Sequence, residues 1–255
     1  MTGHSIPDAV IKYPWAGVIR AAGAAPNIVS TTGPFAGARF RWENPWPAPD
    51  IVRDVMEAPG ASFDLFLGTE AFGGDYDGRQ SVGGIAENPD IGPWAVLWHN
   101  LAASTGAQTF YSNFWRNDPP RIFGASWRAS CDLEAPLWDG IIDYVNANRA
   151  GGTSPMRLVP WLQVYMAVHD AIQAGQITGI TMGNLFSDDV HPDRIGRWVQ
   201  MATMMSVMYH RHPDEMPNAV PLEFGGFETI NAGLAAQLRP IVWATCLATS
   251  RAGLA

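Results

Sequence analysis

Apolar runs of strand length alternate along this chain with stretches of helical periodicity, and that alternation limits the fold more than any other feature. Residues 27–30 (NIVS), 64–67 (DLFL), 108–111 (QTFY) and 177–182 (ITGITM) are such runs, each followed by a turn of small or polar residues. Between and around them, residues 16–22, 93–105, 137–148, 160–174 and 194–209 carry helical patterns. Strands alternating with amphipathic helices predict βαβ units and a mostly parallel sheet covered on both faces. Ligands of such sheets bind outside the carboxyl ends of the strands, so the turns after the apolar runs are where functional groups are expected. No internal repeat or long low-complexity linker interrupts the pattern, and one domain spanning residues 1–255 is expected. Residues 46–50 (WPAPD) form an extended connector. Residues 72–84 form a glycine-rich loop of the length that compact domains reserve for functional or mobile segments.

Composition excludes several classes of partner. The net charge is −8, Lys12 is the only lysine and the arginines are scattered, so neither nucleic acid nor an anionic membrane is an expected partner. No run of about 18 apolar residues predicts a transmembrane helix. The start, MTGHSIPDAV, has neither the basic nor the apolar region of a signal peptide, and the compartment stays open. Cys131 and Cys246 are far apart and form no metal knuckle; they are either a disulfide or two buried thiols. No phosphate-binding loop, dinucleotide fingerprint or CxxC is present, so no cofactor and no metal are expected. Eleven tryptophans suit a core first, and a sugar-stacking cleft second.

Two short blocks carry chemistry. Near the end, residues 187–196 (SDDVHPDRIG) put Asp188 three residues before His191, with Pro192 fixing the backbone after the imidazole. A histidine base needs one tautomer, which a carboxylate on its other nitrogen imposes. The alternative is that Asp188 or Asp189 caps the helix that starts after Pro192. Near the start, residues 3–7 (GHSIP) place Ser5 in a small-residue turn leading into a helical segment, where its hydroxyl and backbone N–H can serve a nucleophile and an oxyanion. His210 and His212, at i and i+2, have no defined metal spacing and read as a solvated helix end. His99 and His169 read as helix residues, and the methionines of residues 201–208 as core.

With G-H-S-I near the beginning and D-x-V-H-P near the end, the chain resembles the SGNH (GDSL-type) hydrolases, which carry a nucleophilic serine block and an Asp-x-x-His block in that order. The resemblance implies a flavodoxin-like three-layer α/β/α sandwich with a mostly parallel sheet. It implies a Ser5–His191–Asp188 triad and an acyl-enzyme route for carboxylic esters, with acetyl groups on carbohydrates as one substrate class. It also implies an oxyanion hole with a glycine N–H from the second block, here Gly33 or Gly37, and an asparagine side chain from the third. The chain departs from the pattern in three places. His4 replaces the aspartate of the first block. Little sequence precedes Ser5, so the first strand is expected to be short or missing. Glu70 stands where the third block has its asparagine, with Asn113 after the next strand as the substitute donor. The first departure is tolerable, because that aspartate is not the proton carrier; Glu70 and the short or missing first strand favour the alternative of a non-catalytic binding domain on the same scaffold.

Overall fold

The computed structural model describes residues 2–3, 15–21, 23, 27–32, 37–43, 52–70, 91–114, 126–188, 191–221 and 227–254. The 46–50 connector and the 72–84 loop lie outside these residues. The architecture is α/β with a parallel sheet, consistent with a three-layer α/β/α fold. Its elements fall into two compact units.

The first unit holds the sheet. Strand β1 (Thr2–Gly3) pairs in parallel with β2 (Thr31–Thr32) and lies beside β3 (Leu65–Thr69). Strand β3 pairs in parallel with β4 (Gln108–Ser112), and β4 with β5 (Arg157–Val159). The pairing therefore gives a three-stranded parallel sheet in the order β3-β4-β5 and a short parallel pair β1-β2, with β1 against β3. The first strand is present but only two residues long. Residues 27–30 are not themselves a strand; the pairing starts at Thr31.

Phe66, on one face of β3, stacks on Trp98 with ring centroids 6.1 Å apart, and Trp42 meets Trp98 edge-on at 5.2 Å. Trp98 lies on helix α4 (Ile91–Ser104) and Trp42 on α2 (Ala38–Glu43), and the Trp98 indole N–H donates to the Ala38 carbonyl at 3.0 Å. Val52 and Met56 of α3 (Val52–Glu57) close this cluster. These tryptophans are consumed in packing, with the indole N–H satisfied as burial demands.

Next to Trp98 on α4, the His99 ring is completely buried, with Nδ1 2.7 Å from the Thr109 hydroxyl and Nε2 3.4 Å from that of Thr153. Burial, assisted by the nearby Arg149 charge, lowers its pKa to about 4 from 6.5. Between those two values the unfolded chain holds a proton that the folded chain does not. The stability contributed by neutral His99 is fully present above about pH 6.5 and is lost as the pH falls towards 4, by up to about 1.4 kcal/mol per pH unit. Urea titrations at pH 7 and pH 5 should show this loss, and His99→Gln should reduce it; an unchanged pH dependence in the variant would remove His99 as the cause.

The second unit is mainly helical. It contains α1 (Ala16–Ala21), α6 (Trp161–Gln173), α7 (Arg194–Tyr209) and α8 (Ala232–Ala248), with an antiparallel pair β6 (Ala219–Pro221) and β7 (Phe227–Thr229). Helix α5 (Trp127–Asn148) begins in this unit and continues in the first. Helix α7 is buried without interruption from Trp198 to Met208, as its methionine-rich sequence suggests. Two indole donors fix it: Trp161 to the Gln200 carbonyl at 3.2 Å and Trp198 to that of Pro217 at 3.1 Å.

The strand expected at residues 177–182 does not form. Gly175 and Gly179 adopt φ of 70° and 81°, which breaks an extended run. The backbone donors there go to side chains, Thr178 N–H to Gln237 Oε1 and Thr181 N–H to Asn184 Oδ1. A 3-10 turn over Met182–Leu185 follows.

Candidate functional site

From this 3-10 turn the chain enters the loop that carries Asp188 and His191. The loop is closed at its base by an antiparallel bridge between Phe186 and Pro192. Ser187 N–H donates to the His191 carbonyl at 2.9 Å, and Asp193 N–H to the Leu185 carbonyl at 2.8 Å. Arg197 reinforces this base, donating Nη1 to the Pro192 carbonyl at 3.2 Å and Nε to Glu228 on β7 at 2.9 Å. Gly196 lets α7 start this close to the loop: a Cβ there would sit 2.2 Å from the Leu185 carbonyl oxygen and 2.5 Å from the Tyr165 hydroxyl. A backbone oxygen cannot retreat as a flexible side chain can, so overpacking here would displace the loop.

Within that frame one carboxylate holds the histidine twice. Asp188 Oδ1 accepts the His191 backbone N–H at 2.7 Å, and Oδ2 lies 2.7 Å from His191 Nδ1. With an ionised carboxylate at Nδ1, that nitrogen carries the hydrogen, and Nε2 is the atom able to accept a proton. The residue at the N-cap of α7 is Asp193, so Asp188 is not the cap of that helix. The His191 side chain is about one-third exposed (32%), open enough to meet a ligand while held in one orientation.

The other candidates belong to the carboxyl ends of β3 and β4. Thr69 and Ser112 are paired in register as the last residues of those strands, and Thr69 Oγ1 donates to the Ser112 carbonyl at 2.8 Å. Glu70 and Asn113 therefore leave the sheet side by side, and both are buried. Glu70 is built into the unit's interior. Its carboxylate accepts the Ala38 N–H at 2.9 and 3.2 Å, anchoring the first residue of α2, and the Tyr111 hydroxyl stands 3.4 Å away. Arg41, one turn further along α2, is buried and donates to the Thr69 carbonyl. Burial lowers the Arg41 pKa, and the negative charge of Glu70 opposes that shift. Burial and the same carboxylate raise the Tyr111 pKa well above its ordinary value. A Cβ on Gly37 would lie 2.4 Å from Glu70 Oε1, so the carboxylate fills the space that only glycine leaves. An acceptor spent in this way offers no hydrogen bond to an oxyanion.

Ser5 and Gly33 lie outside the described residues, as does Asp189. His210 is exposed in left-handed conformation at the end of α7, and His212 Nδ1 faces the Asp214 N–H at 3.2 Å with its ring against Trp243. His210 finishes the helix, and His212 caps the start of the short 3-10 turn Pro213–Glu215 that follows it. No group of three or more metal-ligating side chains occurs among the described residues, and no helix among them is long and apolar enough to cross a membrane. Cys131 and Cys246 are buried free thiols, and burial pushes the Cys246 pKa up to about 12, far from a reactive thiolate. Sequence reasoning passed over Arg41 and Tyr111; the one available signal was the apolar setting of each, RFRWE and TFYS.

No family model matches the sequence, and no curated protein matches it. Its structure is similar to that of a DUF4886 family protein from Bacteroides uniformis ATCC 8492, with a TM-score of 0.62 over 98% of this chain and 94% of that one. At 13% identity, what the two chains share is the fold.

Proposed function

We propose that the chain is a serine esterase-type hydrolase in which Ser5, His191 and Asp188 form the triad. The observation that carries this reading is the double hold of Asp188 on His191, which prepares one imidazole nitrogen as a base. In this scheme Ser5 Oγ attacks the ester carbonyl as His191 Nε2 takes the hydroxyl proton, and Asp188 stabilises the imidazolium. The imidazolium returns that proton to the departing alcohol, leaving an acyl-serine. Water then repeats the sequence, with His191 again as base, and releases the carboxylic acid. Asn113 and the backbone N–H of Gly33 are the proposed oxyanion donors, with Glu70 confined to anchoring α2. Acetyl esters of carbohydrates are the proposed substrate class, and no metal or organic cofactor takes part.

A second reading, a binding domain on the same scaffold, is favoured by Glu70, which takes the motif position of the donor asparagine and spends its carboxylate on the Ala38 N–H. Losing one such donor costs about 10²–10³ in rate in a serine hydrolase. A fluorophosphonate probe separates the two readings. Covalent labelling that maps by mass spectrometry to Ser5, together with turnover of a short-chain chromogenic ester, supports the hydrolase. A folded chain that takes no label is the binding domain.

A further inference from the structure

Besides the Asp188–His191 loop, the second unit carries an open groove of about 410 Å³. It runs between residues 178–180, the first turn of α7 and the start of α8. That volume falls in the range of small-molecule sites. Ile180, Ile195, Ile230 and Leu234 form its apolar part, with Ile230 and Leu234 largely buried, and Thr178, Thr229, Asn231 and Gln237 its polar part. The groove is held open by structure already in place. Gln237 Oε1 accepts the Thr178 N–H at 2.9 Å, tying one wall to α8, and Asn231 caps α8 by accepting from Gly233 and Leu234 N–H.

One charged side chain, Arg194, belongs to this lining, and no carboxylate does. Arg194 is exposed and makes no hydrogen bond or ion pair among the described residues. In this it differs from Arg128, Arg197, Arg211 and Arg239 of the same unit, each of which is bound to a carboxylate or a carbonyl. A guanidinium beside a partly aliphatic groove is complementary to a small anion that carries a hydrocarbon portion. The guanidinium fork matches a carboxylate, and the apolar part of the groove takes the hydrocarbon attached to it.

We infer that this groove binds a small aliphatic carboxylate, with Arg194 as the anchor of the acid group and Ile195, Ile230 and Leu234 as the contact surface of the chain. The site does not depend on Ser5 being a nucleophile. The aliphatic part supplies affinity by burial, and the charge-assisted bond to Arg194 supplies selectivity for the acid over the alcohol.

Methyl-detected NMR titration of the full chain with hexanoate, and separately with hexanol, tests the site. Hexanoate should shift the Ile195, Ile230 and Leu234 methyl signals in a saturable manner, and hexanol should bind more weakly. Arg194→Gln, an exposed substitution, should weaken hexanoate by about tenfold or more and leave hexanol unchanged. The inference is overturned if hexanoate leaves those methyls unmoved, if hexanol binds as tightly as hexanoate, or if Arg194→Gln binds hexanoate as the wild type does.

Discussion

Asparagine in place of Asp188 should lower kcat for ester hydrolysis by about 10³–10⁴-fold while leaving the loop folded. The geometry makes this substitution informative. An asparagine Oδ1 can still accept the His191 backbone N–H now bonded at 2.7 Å, and asparagine is as good as aspartate in a turn of this type. Its amide nitrogen, however, would face His191 Nδ1 where Oδ2 now stands 2.7 Å away. Two donors cannot share that contact, so the ring turns to the tautomer with hydrogen on Nε2. That nitrogen can then no longer take a proton from a serine hydroxyl. If Asp188 serves only to close the turn, Asp188→Asn will hydrolyse ester at the wild-type rate. Serine-to-alanine at position 5 belongs in the same experiment. In a triad enzyme, loss of the nucleophile costs about 10⁶ in kcat, and combining it with Asp188→Asn should add little, because the residues act as a unit. Additive losses would mean that Asp188 works on something other than the Ser5 reaction.

Some of this arrangement was legible in the sequence because local rules and tertiary structure agree. Helix α7 covers residues 194–209 as its periodicity requires, and β3 and β4 follow the runs at 64–67 and 108–111. Failures came where one residue overrides a pattern. The apolar run 177–182 reads as a strand until Gly179 takes positive φ and Gln237 claims the Thr178 N–H, a partner 59 residues away. Helix α5 starts ten residues before the expected 137, at Trp127, and runs through Pro136. Helix α8 contains Pro240, and a proline at either place reads as a boundary. The site divides in the same way. The Asp188–His191 pair is three residues apart and is visible as a spacing. The buried setting of Glu70 depends on Ala38 and Arg41, 32 and 29 residues back along the chain. Arg41 also has a near twin in Arg39, which projects to solvent and pairs with Glu43. Only the rotation of α2 distinguishes them.

That rotation underlies the second large effect, which is on stability. Glu70→Ala should destabilise the folded chain by about 3–5 kcal/mol, measured by urea unfolding. The substitution removes the acceptor of the Ala38 N–H and leaves the Arg41 guanidinium, 5% exposed, without the carboxylate that offsets its desolvation. Glu70→Gln isolates the charge, because its oxygen can still accept from Ala38 while the negative charge is gone. It should cost less than alanine but remain destabilising. Pairing Glu70→Gln with Arg41→Met should recover part of the loss, since removing both buried charges spares the penalty of stranding one. Activity measured on the same variants decides whether Glu70 is an anchor or a participant. As an anchor, Glu70→Gln loses stability and gains no rate, because the side chain stays directed at Ala38. A Glu70→Gln chain that hydrolyses ester faster than wild type at unchanged stability would instead place this side chain at the oxyanion. The carboxylate would then be an inhibitory substitution for the asparagine of the SGNH pattern.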